Sequence, residues 1–295
     1  MPAPPFITRA PADVAAWARC FDWCSLPVLA QTAQVLEEWR ANEDQVDAHL
    51  MAQTIAADPL MTLKLLAQVA EMRHGRSRVR EGSDAETVTA ALVMLGITPF
   101  FKAFGPQDSA EDWLADQPEG ASLGFHRVLR RSSRAGRFAL SFAVHRMDHD
   151  AAVIHEAALL HDFAELLLWL RAPTLALEVA ARQAAQPTLR TAAVQRAVLN
   201  VELPALQHQL MLEWRLPALL VHITDAQAHS LDQSHSHSHV DAAQLRNVQL
   251  AVRVARHSAQ GWDNPALPDD LAEIGTLLQL GLEPTQRLLL DIDSD

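Results

Sequence analysis

The chain has 295 residues, 49% of them hydrophobic, and a formal net charge of −12. That length suits one large domain or two modest ones, yet no run reaches the roughly 18 to 20 apolar residues of a membrane helix, so a soluble protein without a membrane partner is expected. The acidic balance leaves no broad basic face and argues against nucleic-acid binding; the local exception, RVLRRSSRAGR at 127–137, reads as a solvated helix face.

Tyr is absent and Gly is scarce at 10, while Ala, Leu, Gln, Glu and Arg dominate. This composition favours helix over strand, and the predicted fold class is all-α. The opening MPAPPF has no charged segment leading into an apolar one, so no signal peptide is read and a cytoplasmic location is the default expectation.

In chain order, Val14, Trp17, Ala18 and Phe21 predict a helix over 12–21, and Ser25-Leu26-Pro27 resets the chain for a second through Trp39. Val46, Leu50, Met51 and Ile55 mark a third over 44–56. Asp58-Pro59 then supplies an N-cap and a first-turn proline to the helix beginning PLMTLKLL. A capping box from Ser83 to Glu86 predicts the next start, with Gly96 as its stop. Thr98-Pro99 opens a short helix.

Residues 105–124 are rich in Gly, Pro and Asp and are expected to connect an N-terminal helical lobe, 12–104, to a second lobe, 125–290. The second lobe reads as an arginine-bearing helix to about His145, an apolar helix over 156–170, then helices over 173–185, 194–214 with an interruption at Pro204, 217–228, 241–258 and 268–290. The tract SHSHSH at 234–239 interrupts the last group.

The apolar helix, EAALLHDFAELLLWL, carries an adjacent His161 and Asp162. A buried ionisable pair costs free energy unless it is hydrogen-bonded or holds a metal, so this is the first place to look for chemistry. On a continuous helix His161 and Glu165 are four apart and Asp162 and Glu165 three apart, with His155 on the same side. His126, His145, His149, His208 and His222 are further imidazoles that a metal site would recruit. The plainer reading has His161 and Asp162 satisfying helix ends and backbone groups.

Other ligand types are sparse. Cys20 and Cys24, four apart, do not make a tetrahedral zinc site alone and read as reduced packing residues. His235, His237 and His239 offer at most weak, adventitious metal binding. No metal or cofactor is expected.

Leu26-Pro27, Ile55 to Leu60 (IAADPL) with Leu65-Leu66, Met94-Leu95-Gly96, Leu159-Leu160-His161-Asp162, Glu213-Trp214-Arg215-Leu216-Pro217, and Ile274-Gly275 with Leu280-Gly281-Leu282, in that order and spacing, resemble the HDOD family. The resemblance covers about residues 15 to 285. It implies a helical N-terminal lobe packed on a lobe related to the HD metal-dependent phosphohydrolases, and a bacterial regulatory role.

Those enzymes hold divalent metal with a first histidine, the His-Asp pair and a later aspartate, because several ligands must converge before metal-bound water becomes a nucleophile. The resemblance sets Arg131 at the first-histidine position and Val252 at the late-aspartate position. Phe163-Ala164-Glu165 replaces the usual Ile-Gly-Lys, and Leu203 stands where a histidine often precedes the Trp-Leu-Pro segment. The site thus reads as degenerate, and Arg131 is expected to stand in for the metal charge opposite Asp162.

The function expected is a non-catalytic signalling module acting on a protein partner in trans, with a small ligand between the lobes as a further expectation. The alternatives are a metal-dependent phosphohydrolase rebuilt around His161 and Asp162, and a metal-sequestering protein using the histidine tract.

Overall fold

The computed structural model describes residues 5–75, 85–186, 188–224 and 242–294. The all-α expectation is met: the described residues form helices joined by short turns, with one isolated bridge between Val28 and Ser109. In chain order these are α1 (Val14–Ala18), α2 (Ala30–Arg40), α3 (Ala48–Ala56), α4 (Pro59–Gly75), α5 (Val88–Leu95), α6 (Ile97–Ala103), α7 (Ala110–Leu114) and α8 (Ala121–Arg146). There follow α9 (Ala151–Leu159), α10 (Phe163–Arg171), α11 (Pro173–Ala185), α12 (Thr191–Leu199), α13 (Leu203–Glu213), α14 (Ala218–Thr224), α15 (Ala242–His257), α16 (Leu267–Leu278) and α17 (Leu282–Ser294).

The chain divides into two compact units, neither continuous in sequence: Met1–Val128 with Asp162–Ala218, and Leu129–His161 with Leu219–Asp295. The divisions fall inside α8, between α9 and α10, and at the start of α14; composition placed the lobe boundary at 105–124. That stretch contains α7, whose first turn is capped by Ser109 accepting from the Asp112 amide at 3.0 Å, and the first residues of α8.

In the first unit α10 is the core, buried from Leu166 to Arg171. The Phe163 ring stacks on Trp214 with centroids 5.9 Å apart, and Trp17 Nε1 donates to the Leu199 carbonyl at 2.8 Å, tying α1 to the end of α12. Gly124 lets α8 approach α10: a Cβ there would lie 2.3 Å from the Trp169 ring. Asp58 fulfils its predicted capping role, Oδ1 accepting from the amides of Leu60 (2.8 Å) and Met61 (3.1 Å), while Oδ2 accepts from Leu29 at 2.8 Å.

Elsewhere local signals misplaced the ends. Ser83 lies outside the described residues, and α5 is capped by Thr87, whose hydroxyl accepts from the Ala90 amide at 3.1 Å. Gly96 does end α5, at φ 81°, and the same residue opens α6. The helix interruption expected at Pro204 comes earlier, at left-handed Asn200; Pro204 sits in the first turn of α13, where its missing N–H costs nothing. The single helix expected over 268–290 is two, turned at left-handed Gln279.

The second unit is built on the later part of α8, with α15 packed on α9 and α16, and α16 on α17. Phe138 and Phe142 of α8 are fully buried. Buried Asn247 of α15 donates to the Ala139 carbonyl of α8 at 3.1 Å. The basic stretch of α8 is only partly a solvated face. Arg127 and Arg130 are exposed, but Arg134 is buried and forks onto Asp293 of α17 at 2.6 and 2.9 Å, with a further bond to Ser258 Oγ.

Candidate functional site

The continuous apolar helix expected over 156–170 does not form. α9 stops at Leu159, Leu160 caps it, and α10 begins at Phe163, so His161 and Asp162 occupy the turn between two helices. The reason is local accounting of backbone groups: the Leu160 amide closes on the Glu156 carbonyl at 2.9 Å, and the Asp162 carbonyl starts a new ladder by accepting from Glu165 (3.0 Å) and Leu166 (3.3 Å). His161 and Glu165 therefore do not share a helical face.

In the first unit, Asp162 stands at the N-cap of α10 and Glu165 in its first turn, both half-buried. Negative charge is favourable at that end of a helix. The Asp162 side chain makes no capping bond to α10. The Ala164 amide is instead met by Gln207 Oε1 of α13 at 3.3 Å. Buried Gln207 carries no local signal in the sequence, because its partner is 43 residues away. Leu203, where the resemblance expects a histidine, is a buried core residue of α13.

In the second unit, His161 is half-buried and its amide reaches the Ala158 carbonyl at 3.4 Å. Arg131 lies half-buried on α8. Val252 is 4% exposed within α15, where Leu250, Ala251 and Val254 are buried as well. His155 packs on α8 at Gly136, where a Cβ would meet its Nε2 at 3.1 Å, and burial pushes its pKa below the usual imidazole value.

His126 and His145 make contacts of their own. His126 Nδ1 lies 2.8 Å from the Ser122 carbonyl of its own helix, and His145 Nε2 lies 3.2 Å from the Leu278 carbonyl. His235, His237 and His239 lie outside the described residues. Among the described residues no group of three or more His, Cys, Asp or Glu side chains is placed to hold a metal ion. No helix among them is long and apolar enough to cross a membrane.

A denser polar cluster, missed in the sequence, lies at the start of α16. Asp270 is 1% exposed, with one carboxylate oxygen ion-paired to the Arg253 guanidinium and the other hydrogen-bonded with His257 Nδ1, each contact at 2.6 Å. Arg253 also reaches Glu273 at 2.8 Å, and Arg246 pairs with the same carboxylate. Two acids after Pro268 are a legible first-turn signal, but their cations come from the preceding helix.

The HDOD domain model matches residues 26–230 of the chain. The chain is similar to the crystal structure of the MmoQ response regulator from Methylococcus capsulatus, with 18% identity, a TM-score of 0.65, and coverage of 92% of this chain and 99% of that one. It is also similar to a virulence factor from Campylobacter jejuni, with 15% identity, a TM-score of 0.61, and coverage of 95% and 97%. At these identities the likeness shows the fold. No curated protein matches the chain.

Proposed function

Because the chain belongs to the HDOD domain family, we propose that it is a non-catalytic regulatory module that acts on a signalling protein in trans. The observation that carries the non-catalytic reading is Val252, buried on α15 where the resemblance to HD enzymes calls for a carboxylate ligand. A buried valine supplies no lone pair, and the position has no room to be read as a solvated substitution. Arg131 at the first-histidine position adds a cation where a metal would be repelled. The break between α9 and α10 supports the same reading, since His161 and Asp162 occupy the turn that connects the two helices and Glu165 no longer shares a helical face with His161.

The test is the divalent metal content of untagged protein purified without chelator, together with its hydrolysis of a generic phosphodiester such as bis(p-nitrophenyl) phosphate. A variant with His235, His237 and His239 changed to alanine is measured beside it. The expected result is no metal-dependent turnover in either protein, and any metal in the parent lost from the variant. About one or two metals per chain in both, with turnover abolished by His161→Ala, would overturn the proposal in favour of a rebuilt hydrolase.

A further inference from the structure

The turn from α15 to α16 holds one imidazole in a fixed orientation. His257 is the last residue of α15, and its backbone carbonyl accepts from Asn264 Nδ2 at 2.9 Å. Asn264 Oδ1 in turn accepts from the Ala266 amide at 3.0 Å, just before α16 begins. The ring is held from the other side by buried Asp270 in the first turn of α16, whose Oδ2 lies 2.6 Å from Nδ1. The other Asp270 oxygen is ion-paired to the guanidinium of Arg253. Arg253 and His257 are four residues apart, so one face of α15 presents both to a single carboxylate.

A carboxylate that faces a guanidinium can only accept, so His257 Nδ1 carries a proton. In the neutral ring the lone pair is then on Nε2. That nitrogen has no hydrogen-bond partner among the described residues, and with the side chain 34% exposed it opens on solvent. Charge around it is balanced, because the second acid, Glu273, is paired with both Arg253 and Arg246 and two carboxylates face two guanidinium groups. An anionic reagent is therefore not repelled as it would be by Asp270 alone. A buried carboxylate behind an oriented imidazole with its second nitrogen exposed is the arrangement of an activated nitrogen nucleophile.

We propose that His257 is a phosphorylation site, its Nε2 taking a phosphoryl group from a donor of the phosphorus–nitrogen class. In the step, the Nε2 lone pair attacks phosphorus; a bond from Nε2 to phosphorus forms, the donor's own P–N bond breaks, and the departing amine keeps that electron pair. No atom changes oxidation state. The ring, now bearing phosphorus on Nε2 and the proton on Nδ1, is a cation that Asp270 stabilises as the positioning residue. One P–N bond replaces another, so the transfer is reversible. The site goes beyond the regulatory reading and does not depend on it: phosphorylation would mark the joint between α15 and α16 whatever the fate of the positions at Arg131 and Val252.

His126 supplies the comparison within the chain. Its Nδ1 also meets an acceptor, but that acceptor is the neutral Ser122 carbonyl, and its Nε2 lies 3.9 Å from Glu111, whose charge repels an anionic donor. The experiment incubates the untagged full-length protein with phosphoramidate at mildly alkaline pH, maps phosphorylation at each histidine by peptide mass spectrometry without acid, and reads the isomer by phosphorus NMR. His257 is expected to react at least about tenfold faster than His126 and to give the Nε2 isomer alone. Asp270→Asn keeps an acceptor for Nδ1 and leaves Arg253 its Glu273 partner, and it should slow His257 about tenfold while the His126 rate is unchanged. A His257 rate no greater than that of His126, phosphorylation at Nδ1, or an unchanged rate in a folded Asp270→Asn protein would each overturn the proposal. Should Asp270→Asn not fold, the parent labelled in denaturing urea decides: loss of the advantage over His126 on unfolding supports the site, and an equal advantage in the unfolded chain overturns it.

Discussion

Buried charge is handled differently in the two compact units. In the first, ions are met mainly by backbone and amide groups: Asp58 by three backbone amides, Lys64 by the Leu26 carbonyl and the Gln107 side chain, Arg171 by the Cys20 carbonyl. In the second, ions meet opposite ions, as Arg134 with Asp293 and Arg253 and His257 with Asp270. The difference teaches what each ion is for. A lone ion held by backbone groups fixes the local path of the chain, and an apolar residue cannot replace it without orphaning those groups. A paired ion fixes one helix against another, and the pair can be exchanged jointly for apolar side chains with little loss.

The largest effect expected from this contrast is at Asp58. Asp58→Ala removes the acceptor from three amides, two of them buried at the start of α4 and one leading into α2. The cost should be about 4 kcal/mol, from the lost cap and the unsatisfied donors together, read as a shift in the urea midpoint at constant slope. Asp58→Asn should recover part of it, since an amide oxygen still accepts. Burial pushes the Asp58 pKa above its usual value despite those donors and Thr32, so removing the charge alone costs less than removing the acceptor.

At Arg134 the expected single-site cost is smaller, about 3 kcal/mol for Arg134→Met, because Asp293 is left facing Trp262 with no cation. Asp293→Leu should cost at least as much, because the charge it leaves unpaired, Arg134, is the more buried partner. The decisive measurement is the double variant: if the contrast holds, Arg134→Met with Asp293→Leu is more stable than Arg134→Met alone. Strictly additive losses would show that the second unit uses its ions as the first does.

The same contrast explains what the sequence disclosed. Asp58-Pro59 was legible because a cap and its donors are separated by two and three residues. Arg134 was read as solvated because its carboxylate is 159 residues away, and the role of Asp270 was hidden because His257 and Arg253 belong to another helix. The break at His161-Asp162 was missed for a related reason. No Gly or Pro marks it, and an unbroken apolar pattern reads as one buried helix whether or not the ladder restarts in the middle. Of the candidate residues, Arg131 and Val252 came from ordered resemblance across the chain, whereas His161 and Asp162 stood out as an ionisable pair in an apolar run and Glu165 by its spacing from them.

Lys64 offers the finest test, because its effect appears as a slope with pH. The residue is 4% exposed, and its ammonium donates at 2.5 Å to both the Leu26 carbonyl and Gln107 Oε1, joining α4 to the turn before α2 and to the loop before α7. Burial lowers its pKa to about 8, against the pull of charges on Cys24, Asp58, Asp108 and Asp22. An unfolded lysine titrates near 10.4. Between these values the unfolded chain binds more protons than the native one, so stability must rise with pH through this window. The Cys24 thiol, held up to about 11, works in the opposite direction above its unfolded value, and both proteins should therefore carry Cys24→Ser. In that background the parent should gain about 2 kcal/mol relative to Lys64→Met between pH 7 and 9.5. Parallel stability curves for the two would mean that solvent or a counter-ion reaches the ammonium, and Lys64 would then belong with the paired ions of the second unit.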